Sequence, residues 1–470
     1  MLFDSPVFVF FLIAVVLVYW RLTWRWQNIF LLAASYFFYG WWDWRFLLLM
    51  AGSTFIDYLI AKKIRALSNP NHRRALLVLS LAINFSFLGF FKYFNFFVGS
   101  FATLLNTVGF HNVPVSLLRI LLPPGISFYT FQEVAYIVDV YKGKLEPSNS
   151  LVEYALFISL FPHLIAGPIQ RPNHLLPQVQ RERTLDWDKF FDGLMLILFG
   201  LFQKCVIADN CALIANSAFN GYFGTTTLPV VLLGSYAFAW QIYGDFAGYS
   251  NIARGAAQLL GFHFMVNFRQ PYLATTLQDF WRRWHISLSS WLRDYLYIPL
   301  GGNRKSEGRT YGNLLTTMLI GGLWHGANWT FVVWGGIHGG VLAVERLFGI
   351  DQDEANKSGW IVIWLRRILL FNLVCVTWVF FRAQSIHEAL TFLRGLGRFD
   401  WQPEYLTAFK FLALFSIPMF LMDLRLEKAQ EEYVFQRSSA WFRTGLGFAA
   451  MAAVAFFAAN QANAFIYFQF

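Results

Sequence analysis

Apolar residues run through the chain in long blocks separated by short polar or basic turns, and this spacing predicts a succession of membrane-crossing helices. A hydrocarbon core takes about 20 residues of helix. Candidate spans are 5–20, 28–42, 45–60, 75–105, 117–141, 151–169, 190–215, 229–262, 311–324, 330–348, 360–381, 405–422 and 442–460. Several are short, or are broken by Gly and Pro, so the pattern predicts an all-α polytopic membrane protein with roughly 9–13 transmembrane helices. No repeat, low-complexity segment or long linker interrupts it, which predicts one membrane domain over residues 1–470.

The positions of Lys and Arg orient the spans. Arg21 and Arg25, and then Lys62, Lys63, Arg65, Arg73 and Arg74, mark cytoplasmic turns separated by the expected number of spans. The loops at 282–309 and 425–443 are basic too, and the same rule puts them on the cytoplasmic side, with both termini outside. The first apolar stretch lacks a basic leader and a small-residue cleavage site, and so reads as a retained span rather than a signal peptide.

Composition agrees with this reading. The chain is 57% hydrophobic and only 14% charged, with a mean hydropathy of +0.46. A soluble domain carries about 25% charged residues. The net charge of +10 is spread over short loops and forms no aromatic-interleaved surface, which argues against nucleic acid and for anionic head groups or an anionic substrate. Cys205, Cys211 and Cys375 are an odd, scattered set in apolar segments without paired metal spacing, so no metal is expected and they carry no role.

Polar residues inside the apolar blocks mark where the chain departs from simple spanning. In LLPPGISFYTFQEVAYIVDVY, Pro123 and Pro124 stop a helix, and Gln132, Glu133 and Asp139 follow. This predicts a broken or re-entrant span, as does FPHLIAGPIQRP with Pro162, His163, Gly167 and Pro168. In QIYGDFAGYSNIARG, Asp245 and Arg254 sit in one helical pattern, where a structural ion pair or cap outweighs catalysis.

The densest chemistry lies between Leu277 and Trp329. Read as one helix, 277–296 places Trp281, Trp284, His285, Leu288, Trp291, Leu292 and Tyr295 on one face. Arg282, Arg283, Ser287, Ser290, Arg293 and Asp294 fall on the other, which is the division of a helix lying in a membrane interface. A basic turn follows at Arg304, Lys305 and Arg309. The uncharged run 314–324 then carries His325 to membrane depth, where ionisable groups are costly and line pathways or reaction sites. A packing histidine bonded to a backbone carbonyl is the bland alternative. Two histidines flanking one basic interfacial turn weigh against it.

These segments, in order, resemble the membrane-bound O-acyltransferase family, in its alginate O-acetylase-like branch. The resemblance runs from VFVFFLIAVVLVYW through NIFLLAASYFFYGWWDWRFL, PPGISFYTFQ, FPHLIAGPI, QIYGDFAGYSNIARG, DFWRRWHISLSSWLRDYLYIPLGG and GGLWHGANWTFVVWGGIHG to the terminal FIYFQF. It implies a ring of helices around a central funnel or tunnel, with a catalytic core at about residues 120–345 and His325 as the catalytic histidine. His285 matches the branch's second histidine. The implied reaction moves an acetyl group from a cytoplasmic thioester, acetyl-CoA or an acyl carrier, to a hydroxyl of an extracytoplasmic polysaccharide at the bacterial cytoplasmic membrane. No tightly bound cofactor is implied.

A histidine suits that chemistry, because its ordinary pKa of about 6.5 lets it take a proton from an attacking hydroxyl and return it to a thiolate. Trp324, Asn328 and Trp329 are expected to contact substrate along the tunnel, although aromatic filling of a helix bundle gives the tryptophans the same pattern. Arg282, Arg283 and Arg293 suit the phosphates of coenzyme A or an acidic carrier, and lipid phosphate equally well. His338, set among glycines, reads as structural or supporting, and His72, His111, His174 and His387 carry no role. There is no nucleophile elbow, so any serine-esterase step would belong to a separate extracytoplasmic partner. D-alanyl transfer to teichoic acid and non-catalytic transport of a lipid-linked sugar are the alternatives.

Overall fold

The computed structural model describes residues 1–110, 117–165, 167–350 and 358–459, and among them the regular elements are all helices. His111, Ala166, Asn460 and the terminal FIYFQF lie outside the described residues. Among the described residues, six helices are long and apolar enough to cross a membrane: Trp44–Ala66, Pro70–Thr107, Trp187–Phe219, Trp360–Arg382, Pro403–Ala429 and Ala440–Phe457. A seventh apolar helix, Pro6–Tyr19, is shorter. The chain is a multi-pass membrane protein.

The described residues fall into two compact units, one within 1–190 with 256–265 and the other within 191–255 with 266–459. The first contains α1 (Pro6–Tyr19), α2 (Trp24–Gly40), α3 (Trp44–Ala66), α4 (Pro70–Leu88), α5 (Phe94–Thr107), α6 (Ile126–Tyr141), α7 (Leu151–Ser159), α8 (Phe161–Leu164) and α9 (Pro172–Val179). Local sequence sets their ends. Pro6 stands at the first turn of α1 with the Ser5 side chain capping Phe8 N–H, and Ser150 caps Glu153 N–H on α7.

The diproline segment behaves as its sequence predicts. Residues 118–123 are irregular and α6 starts only at Ile126, after Gly125 at φ 73°. A side chain at Gly125 would meet the Leu164 carbonyl oxygen at 2.4 Å, so the left-handed turn and the close approach both require glycine. The second broken span is also confirmed, with α8 only four residues long. His163 is held there between Gln132 Nε2 and the Phe157 carbonyl, at 3.1 and 3.2 Å, which makes it a packing histidine. Buried carboxylates tie this unit together. Glu133 accepts from Ser53 and Thr54 of α3, and Asp57 accepts from Ser80 and Asn84 of α4.

The second unit takes most of α10 (Trp187–Leu201), then α11 (Asp209–Phe219) and most of α12 (Leu228–Leu259). It continues with α13 (Leu277–Arg283), α14 (Ile286–Leu292), α15 (Glu307–His325), α16 (Trp329–Leu347), α17 (Trp360–Arg382), α18 (Ile386–Leu393), α19 (Pro403–Ala429) and α20 (Ala440–Phe457). Asp245 and Arg254 do not pair with each other. Nine positions on a helix amount to half a turn beyond two full turns, so the two side chains leave α12 on opposite faces. Asp245 meets Lys204, which also holds Asp209, both at 2.9 Å, and Arg254 meets Glu432 at 2.7 Å.

α15 and α16 form a tight antiparallel pair because glycines face each other at their crossing. A Cβ on Gly322 would lie 2.2 Å from the Phe331 carbonyl oxygen, and one on Gly335 would lie 2.2 Å from that of Met318. This crossing places the end of α15, and with it His325, against the first two turns of α16.

Candidate active site

The single interfacial helix expected over 277–296 is broken. α13 ends at Arg283, Trp284 is extended, His285 takes left-handed φ 43° and ψ 53°, and α14 restarts at Ile286. A π-helical turn, Arg293–Tyr297, follows α14. Apolar periodicity carries no signal for one left-handed residue, which costs roughly 1–2 kcal/mol outside glycine and persists only when its surroundings fix it. The break turns His285 inward, and it is completely buried.

His325 is the last residue of α15 and is buried as well. The two imidazole centroids lie 6.3 Å apart. Trp324 packs against both rings, at 5.8 Å from His285 and 5.1 Å from His325. Phe246 of α12 meets His285 edge-on at 4.6 Å, while Trp334 of α16 and Phe381 of α17 each stand 5.2 Å from His325. Four helices thus supply rings around two histidines separated by 40 positions in sequence. Burial pushes the His285 imidazole down to about 3, so it stays neutral across the physiological range.

His338 belongs to the supporting layer. Its Nε2 shares a hydrogen bond with Thr377 Oγ1 at 2.9 Å, and its ring packs on Trp334 at 4.6 Å and Trp281 at 5.4 Å. Trp334 therefore stands between His338 and His325.

The remaining expected site residues are dispersed. Trp324 is in the histidine wall, whereas Trp329 is 51% exposed at the start of α16. Asn328 caps α16 by accepting from Thr330 N–H, and its Nδ2 donates to the Gln384 carbonyl at 2.9 Å. Arg283 is held in an ion-pair cluster with Asp279 at 2.8 Å and Glu427 at 3.1 Å, and Glu427 also holds Arg367 at 2.9 Å. Arg293 is exposed beside Asp294. Arg304, Lys305 and Arg309 are exposed on their turn.

Arg282 and Arg283 line a polar cavity of about 620 Å³ that also takes in Arg254, Arg269, Asp279, Tyr243, Phe268 and Asp423. Two rings of its wall touch the histidine surround. Phe268 stands 5.0 Å from both Phe246 and Trp284, and Tyr243 stands 6.0 Å from Trp284. Phe268 and then Phe246 stand between this cavity and His285.

The sequence singles out both histidines and Trp324, whereas Phe246, Trp334 and Phe381 look like ordinary apolar helix residues until the fold aligns them. The only sequence signal of Lys204 is a lone cation in an apolar span.

The described residues thus define a helical membrane protein in which two buried imidazoles converge among aromatic rings, beside a charged cavity. The family model of the membrane-bound O-acyltransferases matches residues 145–387, more than half of the chain and the whole of the histidine region. Similarity to individual proteins extends further. The chain is 43% identical over 409 residues to the Pseudomonas putida protein named "Probable alginate O-acetylase AlgI", covering 86% of this chain and 81% of that one. It is 38% identical over 431 residues to the peptidoglycan O-acetyltransferase of Helicobacter pylori, covering 84% and 80%. The teichoic acid D-alanyltransferase of Bacillus subtilis is 28% identical over 304 residues, covering 59% and 72%. The chain belongs to the membrane-bound O-acyltransferase family and is an acyltransferase acting on a hydroxyl group.

Proposed function

We propose that this protein O-acetylates a cell-envelope polysaccharide, moving an acetyl group from a cytoplasmic thioester to an extracytoplasmic hydroxyl across the bacterial cytoplasmic membrane. The observation that carries the reading is the convergence of His285 and His325, 6.3 Å apart and shut off from bulk solvent. In the proposed reaction the hydroxyl oxygen attacks the thioester carbonyl as His325 removes its proton. The tetrahedral intermediate then expels the thiolate, and the same proton passes from His325 to sulfur. One C–O bond forms, one C–S bond breaks, and the imidazole ends neutral. His285, which stays neutral, orients the carbonyl or the hydroxyl.

The cavity that Phe268 and Phe246 separate from His285 is the proposed donor mouth. Arg283 is held by Asp279 and Glu427, and the exposed cations Arg269 and Arg282 at the rim suit the phosphates of coenzyme A or of a carrier. Acetyl rather than D-alanyl transfer is favoured because identity drops from 43% and 38% to 28% between the two kinds of relative. The proposed acceptor is a glycan reached directly or through a separate extracytoplasmic esterase-type acetyltransferase. Mass analysis of envelope polymers with and without the gene tests the reading. A polysaccharide that loses ester-linked acetyl supports it, and loss of D-alanine esters from teichoic acid with acetyl unchanged overturns it.

A further inference from the structure

We propose that Asn267 is a positioning residue for acyl transfer: it holds His285 in its left-handed backbone conformation and thereby sets the place of that imidazole opposite His325. This rests on the reading that His285 takes part in the reaction.

The argument starts from the unusual backbone. His285 is one of four non-glycine residues with positive φ among those described, and it stands at the N-cap of α14 without making a side-chain cap bond. The first N–H groups of a helix have no partner inside it. Here the first two go to one residue. Ile286 N–H donates to the Asn267 carbonyl at 2.9 Å, and Ser287 donates to Asn267 Oδ1 from both its N–H, at 3.3 Å, and its hydroxyl, at 2.6 Å. The two residues that follow His285 are therefore fixed by Asn267.

Asn267 is itself gripped. Its Nδ2 donates to Ser250 Oγ on α12 at 3.1 Å, and Asn267, Ser250 and Ser287 are all buried. α12 also carries Phe246, one turn earlier, whose edge seats the His285 ring at 4.6 Å. One helix thus supplies both the ring against which His285 rests and the hydroxyl that orients its backbone clamp. The chemistry at 267 calls for an amide. An aspartate keeps the acceptor for Ser287 but has no donor for Ser250, and alanine has neither. Asn267 acts through His285 and its bonds are to Ser250 and to the start of α14.

The test is a double-mutant cycle in the full-length protein, reconstituted in vesicles with acetyl-CoA as donor and an unacetylated glycan oligomer as acceptor. Asn267→Ala is expected to lower kcat about 10–100-fold, the scale of a displacement of about 1 Å, while KM for acetyl-CoA stays within about twofold. In a His285→Ala background the same change is expected to have no further effect, because the group it positions is gone. Asn267→Asp, which keeps two of the three side-chain bonds, should fall between Asn267→Ala and wild type. Ser250→Ala, which removes only the grip on the amide, should show the same dependence on His285 and serves where Asn267→Ala fails to fold. Equal fold losses with and without His285 would mean that Asn267 only supports the fold, and would overturn this inference alone. A His285→Ala protein with wild-type turnover would instead overturn the role of His285, and this proposal with it.

Discussion

The crossing of α15 and α16 sets where His325 lies, so a single methyl group at that crossing should be costly. Gly335→Ala places a Cβ 2.2 Å from the Met318 carbonyl oxygen, whereas ordinary contact begins at 3.4 Å. The helices must part by roughly 1 Å, since backbone on both sides leaves nothing flexible to give. Overpacking of this kind costs about 1–3 kcal/mol. The same shift moves His325 relative to Trp334, and a displacement of about 1 Å near reacting groups lowers turnover by roughly 100-fold. Gly340 is the control. It lies on the same helix, a Cβ there meets nothing within 4 Å, and its replacement by Ala should raise stability by about 0.5–1 kcal/mol through helix propensity. Thermal unfolding in detergent and acetyl transfer in vesicles, measured on Gly335→Ala, Gly322→Ala and Gly340→Ala, check this. The reasoning fails if Gly335→Ala behaves like Gly340→Ala in both assays.

Removing Lys204 leaves Asp209 and Asp245 buried without their shared cation, so Lys204→Met should destabilise by about 3–5 kcal/mol, seen as a large drop in unfolding temperature and in folded yield. His285 makes stability depend on pH in a defined direction. Its folded pKa of about 3 lies below the unfolded value of about 6.5, so between those pH values the unfolded chain binds more protons. Its contribution to stability is complete above about pH 6.5 and is lost as pH falls toward 3, with a slope of up to about 1.4 kcal/mol per unit. His285→Asn, which tolerates the left-handed backbone, should lose that much acid sensitivity in detergent unfolding between pH 7 and 5.

Much of this arrangement is legible in the sequence. Apolar block lengths give a multi-pass helical protein, the diproline gives the delayed start of α6, and the uncharged run before His325 gives a buried imidazole. The helix over 277–296 failed because periodicity averages over a window and one left-handed residue resets the phase. What breaks it is a hydrogen-bond pattern from Asn267, 18 positions upstream, and such a pattern has no period. Arg283 illustrates the converse problem. A cation beside tryptophans reads as a ligand site until Glu427, far along the chain, is seen to hold it.

The central claim is that the His325 imidazole carries the proton of acyl transfer. The most direct measurement uses vesicles holding the wild-type protein or His325→Gln, with labelled acetyl thioester on one side and glycan acceptor on the other, scored for label on the glycan. The account predicts that His325→Gln folds and inserts like wild type yet transfers acetyl at least about 100-fold more slowly, the usual worth of a general base. Transfer by His325→Gln at the wild-type rate would contradict it.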